Sequence, residues 1–113
     1  METIYANTTG MTLFWDQDTT ISRRSVQFIF RNTGFLLSLD DVCEFITLCE
    51  QAQCCNSECS CAYANAATQL LRTPIDKVDL VVTSQELAGL LDLFRQTKHI
   101  ITYRMWLTNF QLN

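Results

Sequence analysis

The sequence predicts an α+β fold: two pseudo-symmetric strand-strand-helix repeats on one largely antiparallel sheet, plus an N-terminal strand. Three observations indicate this architecture. A shift of 45 residues aligns segment 35–52 with segment 80–97 without a gap. Both segments begin with a short apolar run and continue with apolar residues at i, i+3, i+4 and i+7, the spacing of a helix that lies on a core. A [Ser/Thr]-x-x-[Asp/Glu] box precedes each of these apolar stripes, as at a helix start.

The predicted elements follow one another from the N-terminus. The apolar run 11–15 predicts the N-terminal strand, and the polar segment 16–20 connects it to the first repeat. Alternation of Val26, Phe28 and Phe30 predicts the first strand of that repeat. A tight turn over 32–34 is expected next, with Gly34 at positive φ because glycine has no Cβ to oppose that conformation.

The two helices are predicted from their starts and from their apolar faces. Ser38 with Asp41 and Thr83 with Glu86 form the two boxes, in which the hydroxyl and the carboxylate each accept a hydrogen bond from a backbone N–H. The stripes consist of Val42, Phe45, Ile46 and Cys49 in the first helix and of Leu87, Leu90, Leu91 and Phe94 in the second. Close packing between the second helix and the sheet is one explanation of Gly89, and sequence drift is the other.

The second hairpin comprises a strand over 67–72, a longer turn over 73–77 that holds the single proline, and a strand over 80–82. Residues 99–107 favour continuation of the second helix, and a C-terminal strand is the alternative. The 113 residues, 48% hydrophobic and 18% charged, suit a single domain with one core. Its expected organisation is repeat one at about 25–52, a cysteine-rich connector at 53–65 and repeat two at about 66–107.

Segments 30–40, 72–74 and 80–87 together resemble an uncharacterised family of small Bacteroidetes proteins that is defined by a domain of unknown function. The similarity covers about residues 25 to 107, and its motifs are structural, so the resemblance implies no activity. Members of that family often carry a cysteine pair ahead of the first repeat. Residues 21–25 of this chain contain no cysteine, so the resemblance does not extend to a metal site built on such a pair.

Charge and hydropathy disfavour two classes of partner. The net charge of −4 would repel a phosphate backbone, so no nucleic acid is expected as partner. No apolar stretch approaches the roughly 20 residues of a membrane span, and the N-terminus lacks the basic flank and apolar run of a secretory signal. A cytoplasmic protein with reduced thiols is therefore expected, and three disulfides in a secreted protein are the alternative.

A possible metal site lies between the repeats, where four cysteines fall within eight residues: Cys54, Cys55, Cys59 and Cys61. Thiolates are zinc ligands, but paired ligands are normally separated by a longer loop, and adjacent cysteines do not easily reach one tetrahedral ion. Cys49 is a possible substitute ligand, although its place on the apolar stripe favours core packing. The open alternatives are a zinc site, a redox-sensitive loop and a reduced connector without a task.

The sequence contains no catalytic constellation. His99 is the single histidine, and three glycines are too few for most nucleotide-binding loops. Asp40 and Asp41 are read as first-turn residues that complement the helix dipole. We therefore expect a non-catalytic interaction or assembly module, and self-association through Trp106, Phe110 and Leu112 near the C-terminus would make it a homodimer. The alternative is a small zinc-binding or thiol-redox protein that uses the segment from Cys54 to Cys61, and an enzyme ranks third.

Overall fold

The structure, a computed structural model, describes residues 2–14, 25–58 and 68–111. These ranges hold six strands and two helices, which confirms the predicted α+β class. The elements are β1 (Glu2–Ala6), β2 (Gly10–Phe14), β3 (Val26–Phe30), β4 (Thr33–Leu37), α1 (Leu39–Glu58), β5 (Gln69–Arg72), β6 (Asp79–Val82) and α2 (Ser84–Gln111).

The strands form two sheets, so the prediction of one common sheet is wrong for the described part of the chain. Strands β1, β2, β3 and β4 form an antiparallel sheet in that order, here called the main sheet, and β5 and β6 form a separate antiparallel hairpin. The helices join the two sheets. Strand β5 packs against α1 and β6 against α2, while Phe28 of the main sheet contacts Phe45 and Phe94 on the same two helices.

Strand β1 is not among the predicted elements, and an asparagine explains how it pairs with β2. The Asn7 side-chain oxygen accepts hydrogen bonds from the N–H groups of Thr9 (2.9 Å) and Gly10 (3.0 Å). The Asn7 N–H in turn donates to the Gly10 carbonyl at 3.0 Å. An asparagine that bonds the backbone two residues on mimics a turn, so the chain reverses tightly at this point.

The turn between β3 and β4 lies earlier than predicted. Phe30 pairs with Thr33, so Arg31 and Asn32 form the loop, and Arg31 carries the positive φ, 52°. Gly34 belongs to β4, and no described glycine has positive φ. A turn over 32–34 would shift the strand pairing by an odd number of residues and move Leu37 to the outer face. Burial of Leu37, which is 2% exposed, therefore selects the shorter loop.

Both helices begin at the predicted boxes. The Asp41 N–H donates to Ser38 Oγ at 3.1 Å, and the Ser38 N–H donates to the Asp41 carboxylate at 3.0 Å. The corresponding bonds between Thr83 and Glu86 measure 3.0 and 2.9 Å. Helix α2 runs on through 99–107, as favoured, and reaches Gln111. Helix α1 runs to Glu58, so the first part of the predicted connector is helix rather than loop.

The core lies between the main sheet and the helix pair. The rings of Phe45 and Phe94 stack with centroids 4.5 Å apart, and Phe28 meets them edge-on at 5.7 and 4.8 Å. Val42 and Leu87, the first members of the two predicted stripes, are 0% and 1% exposed. The helices therefore present to the core the faces that their sequences predict.

Gly89 permits a close approach of α2. A Cβ at this position would overlap the Thr9 side chain in the β1–β2 turn. Asn7 of the same turn donates a hydrogen bond to the Gly89 carbonyl at 2.9 Å. The β1–β2 hairpin therefore packs closely against α2 at Gly89, where the helix has no side chain to separate the two elements.

Candidate functional site

The described surface carries several large apolar side chains that the fold does not cover. These are Leu36, Leu70, Val81, Tyr103 and Trp106, which are 48% to 66% exposed. They lie on three elements or groups of elements: the main sheet, the β5–β6 hairpin and the second half of α2. Exposed apolar residues indicate a contact surface when they are adjacent to one another.

The most exposed pair lies on the β5–β6 hairpin. Leu70 and Val81 pair directly across the two strands and are 66% and 48% exposed. The opposite face of the hairpin is the buried one, because Leu71 and Val82 are 1% and 0% exposed there. The hairpin therefore has apolar side chains on both faces, and only one face is covered by its own chain.

A pair of opposite charges flanks this apolar pair. Arg72 and Asp79 are the next directly opposed residues on the same face as Leu70 and Val81, and both are exposed. Opposed residues of opposite charge stabilise a strand pair modestly. Together the four residues form the surface that we call the hairpin outer face, and its two charges cancel.

The main sheet also carries apolar residues away from the core. On its outer face, Met11 and Ile29 are partly buried, Leu13 is buried, and Leu36 is 55% exposed. Antiparallel sheets commonly have a polar second face, so this face departs from the usual pattern. Leu36 and Val81 occupy equivalent positions under the shift of 45 residues, and both point outward.

The second half of α2 is only partly covered by the rest of the described chain. Ile101 is the last fully buried residue of the described side chains, and Tyr103 and Trp106 stack on each other at 6.1 Å on the surface. Arg104 lies between them in sequence; it forms an ion pair with Glu2 at 2.7 Å, and its guanidinium lies 5.7 Å from the centre of the Phe14 ring. Trp106 is thus a surface residue. The Phe110 side chain and Leu112 lie outside the described residues.

The structure describes half of the predicted metal site. Cys54 and Cys55 lie in α1, and Cys54 is exposed. Cys59 and Cys61 lie outside the described residues. Within the described ranges no group of three or more His, Cys, Asp or Glu side chains is arranged to hold a metal.

The zinc site therefore stays a prediction, and the metal content of the native protein tests it. About one zinc per chain, retained through purification without chelator, would support it. Protein without bound metal, in which every thiol reacts freely, would exclude the metal-binding form of the hypothesis.

Cys49 packs in the core, as its place on the helical stripe predicts. It is 0% exposed, and burial raises the pKa of its thiol to about 12, with the nearby Glu50 carboxylate contributing and Arg95 opposing. A metal ligand or a nucleophile must be a thiolate. A fully buried thiol with a raised pKa is a poor nucleophile, and its place among the core side chains favours packing over ligation.

The remaining predicted polar residues have structural positions. Asp41 caps α1, and Asp40 is exposed in the same first turn. His99 is exposed on α2. These positions agree with the reading of Asp40 and Asp41 as helix-start residues, and the His99 side chain forms no ion pair with another of the described residues.

Two open clefts lie beside turns. One of about 470 Å³ separates α1 from the turn over 73–78, and another of about 540 Å³ lies between Thr9, Arg31 and the start of α2. In the second cleft Arg31 Nε donates to Glu86 at 3.0 Å, and this bond, together with the Thr83 N–H, holds the pKa of Glu86 below its usual value. Because the cation and the anion are paired with each other, the cleft offers little net charge to a ligand.

Sequence reasoning missed Leu36, Leu70 and Val81 as surface residues, although a signal was present. Leu70 is followed by Leu71, and Val81 by Val82. Successive side chains of a strand point to opposite faces. Two consecutive apolar residues in a strand that is covered on one face therefore leave one of them exposed.

Comparison with known proteins gives no match: no family model, no curated protein and no solved structure is significantly similar to this chain. Neither α1 nor α2, the helices in the described ranges, combines the length and hydropathy needed to cross a lipid bilayer.

Proposed function

We propose that this protein is a non-catalytic assembly module whose partner is a second copy of the same chain. The observation that carries the proposal is the hairpin outer face. Leu70 and Val81 pair across two strands and are far more exposed than apolar residues of the core. They are flanked by Arg72 and Asp79, whose opposite charges cancel. An apolar patch with balanced charges can meet an identical patch without like charges having to face each other.

Burial of these apolar side chains alone would give a weak dimer. Full burial of an exposed Leu or Val side chain contributes about 1.5–3 kcal/mol, and both residues are already partly covered. Four such side chains from two copies therefore supply several kcal/mol, of which association entropy consumes a large part. Micromolar affinity corresponds to about 8 kcal/mol, so further contacts must contribute.

Internal duplication is part of the same proposal. Each half of the chain consists of a hairpin, a capping box and a helix whose apolar stripe is buried, and Leu36 and Val81 are exposed at equivalent positions. A module built from two related halves presents two related outward faces. The proposal selects the hairpin outer face of the second half because both of its opposed apolar residues are exposed there, whereas Leu36 is opposed by Gln27.

The experiment is a measurement of solution mass against concentration by sedimentation equilibrium. We expect the 13.0 kDa chain to approach twice that mass at high concentration. Leu70→Lys should raise the dissociation constant by about 10- to 100-fold, because it places a charge on each side of the twofold contact. Leu36→Lys is the matched control, since it makes the same change at another outward leucine and should leave the constant unchanged.

Circular dichroism and thermal unfolding of both variants exclude loss of the fold as the cause. A native chain that keeps the monomer mass at all concentrations would contradict the proposal. A dimer that Leu36→Lys dissociates and Leu70→Lys does not would show assembly through the main sheet instead.

A further inference from the structure

The outer edge of β5 has no partner strand among the described residues. Strand β5 pairs with β6 on one side, and within the described chain no backbone hydrogen bond reaches its other side. A two-stranded hairpin is marginal as a sheet, and an unpaired edge is a template for another strand. Additional strand pairing would therefore stabilise β5 and β6 more than it would a larger sheet.

In the first half of the chain, another strand occupies the equivalent edge. Strand β3 is the first strand of its hairpin, as β5 is of the second, and its outer edge pairs along five residues with β2. The corresponding edge of β5 lacks such a strand in the described chain. The same hairpin-helix arrangement thus has an antiparallel strand on this edge in one half and none in the other.

The β5 edge lacks a lysine, a proline and a bulge, although the strand is only four residues long and ends at the charged Arg72. Edge strands are commonly protected by lysine, proline or a bulge. The edge strand β1 has a break in register between Thr3 and Tyr5. Strand β5, with the sequence Gln-Leu-Leu-Arg, pairs regularly with β6 and contains neither lysine nor proline.

We infer that two copies of the chain pair antiparallel through their β5 edges, which joins the two β5–β6 hairpins into one continuous four-stranded sheet. The inference rests on the proposed function and specifies its contact. Antiparallel pairing of identical strands obeys twofold symmetry, so it closes as a dimer. It also supplies the backbone hydrogen bonds that the apolar pair alone lacks, by the mechanism of strand addition.

One register unites this pairing with the exposed residues. When the twofold axis passes beside Leu70, this leucine lies opposite Leu70 of the partner subunit. The outer face of the joined sheet then carries an unbroken row of Val81, Leu70 and the same two residues of the partner. The partner is a second copy because the edge is regular, the row is self-complementary, and Arg72 and Asp79 leave the hairpin outer face without net charge.

Hydrogen exchange followed by mass spectrometry tests the contact. The native chain is compared at concentrations well below and well above its dissociation constant. We expect the outward amides within 69–72 to exchange at least about tenfold more slowly in the dimer, because they become hydrogen-bonded. The amides of β4, which ends the main sheet, serve as the internal reference and should exchange at the same rate in both samples.

The outcomes separate this inference from the proposed function. A dimer whose β5 amides exchange at the monomer rate overturns edge pairing and leaves assembly through side-chain contacts. A dimer with new protection in β4 assigns the contact to the main sheet and overturns the inference as well. A chain that remains monomeric at every concentration overturns both.

Discussion

Glu50 of α1 and Arg95 of α2, 45 residues apart in the sequence, form an ion pair with each other at 3.0 Å. Both side chains are about half exposed, so the pair contributes little to stability. Its value is geometric, since it marks where α1 and α2 face each other.

The ion pair between Arg31 and Glu86 predicts a pH-dependent stability. Arg31 and the Thr83 N–H hold the pKa of Glu86 below its usual value, so the folded state favours the carboxylate. We expect Glu86→Gln to lower the free energy of unfolding by about 1 kcal/mol near pH 7. This stabilisation is present above the unfolded pKa of about 4.3 and is lost as the pH falls through the lower folded value.

Urea unfolding of both proteins between pH 2.5 and 7 measures this difference, which should vanish at the acid end. Asp41→Asn is the matched control, because Asp41 caps α1 in the same way and no arginine contacts it in the described chain. Equal losses in the two variants would contradict the role assigned to Arg31.

A buried hydroxyl pair links α2 to the main sheet. Thr12 and Thr97 are both 0% exposed, and their hydroxyl oxygens lie 2.6 Å apart; Thr97 also lies 2.7 Å from the Leu93 carbonyl. Thr97→Val should cost about 1–2 kcal/mol, because it leaves the Thr12 hydroxyl with only a long contact to the Tyr5 carbonyl. The double variant Thr12→Val/Thr97→Val should cost less than the sum of the single variants. Strict additivity in this double-mutant cycle would argue against the coupling.

The contact between Gly89 and Thr9 predicts that alanine destabilises α2. Alanine favours a helix by about 1 kcal/mol over glycine, yet the new Cβ would overlap the Thr9 side chain. We expect Gly89→Ala to lower the free energy of unfolding by about 1–3 kcal/mol through overpacking. In a Thr9→Gly background the same change should become neutral or stabilising. Chemical denaturation measures both effects, and an equal loss in the two backgrounds would rule out this steric cause.

The buried Cys49 thiol predicts sensitivity to alkali. Its folded pKa of about 12 lies above the unfolded value of about 8.5, so the native state retains a proton that the unfolded state releases. The stabilisation is complete below the unfolded pKa and declines as the pH rises toward the folded value. We expect native Cys49 to resist iodoacetamide at pH 8, whereas the partly exposed Cys43 should react faster.

Cys49→Ala provides the thermodynamic test of the same idea. Its free energy of unfolding should fall less steeply than that of the native protein between pH 8 and 10.5. Parallel curves would show that the thiol does not contribute to the alkaline decline.

The sequence by itself determined the helices. The start of each helix depends on a hydroxyl and a carboxylate three residues apart, and its buried face depends on apolar residues at helical spacing. The whole sequence signal for a helix therefore lies within about ten consecutive residues. For the same reason Cys49 could be placed in the core from its position alone. The hairpin-helix order followed from equally local patterns.

The tertiary structure alone decided how the strands are grouped and which apolar residues stay exposed. Strand pairing joins distant segments, so the apolar runs in β5 and β6 did not show that they form a sheet of their own. The position of the β3–β4 turn depended on burial of Leu37, and the exposure of Leu70 depended on which face of its hairpin the helices cover. Local sequence specifies hydrogen bonds between near neighbours, whereas sheet order and surface exposure follow from packing between elements far apart in the chain.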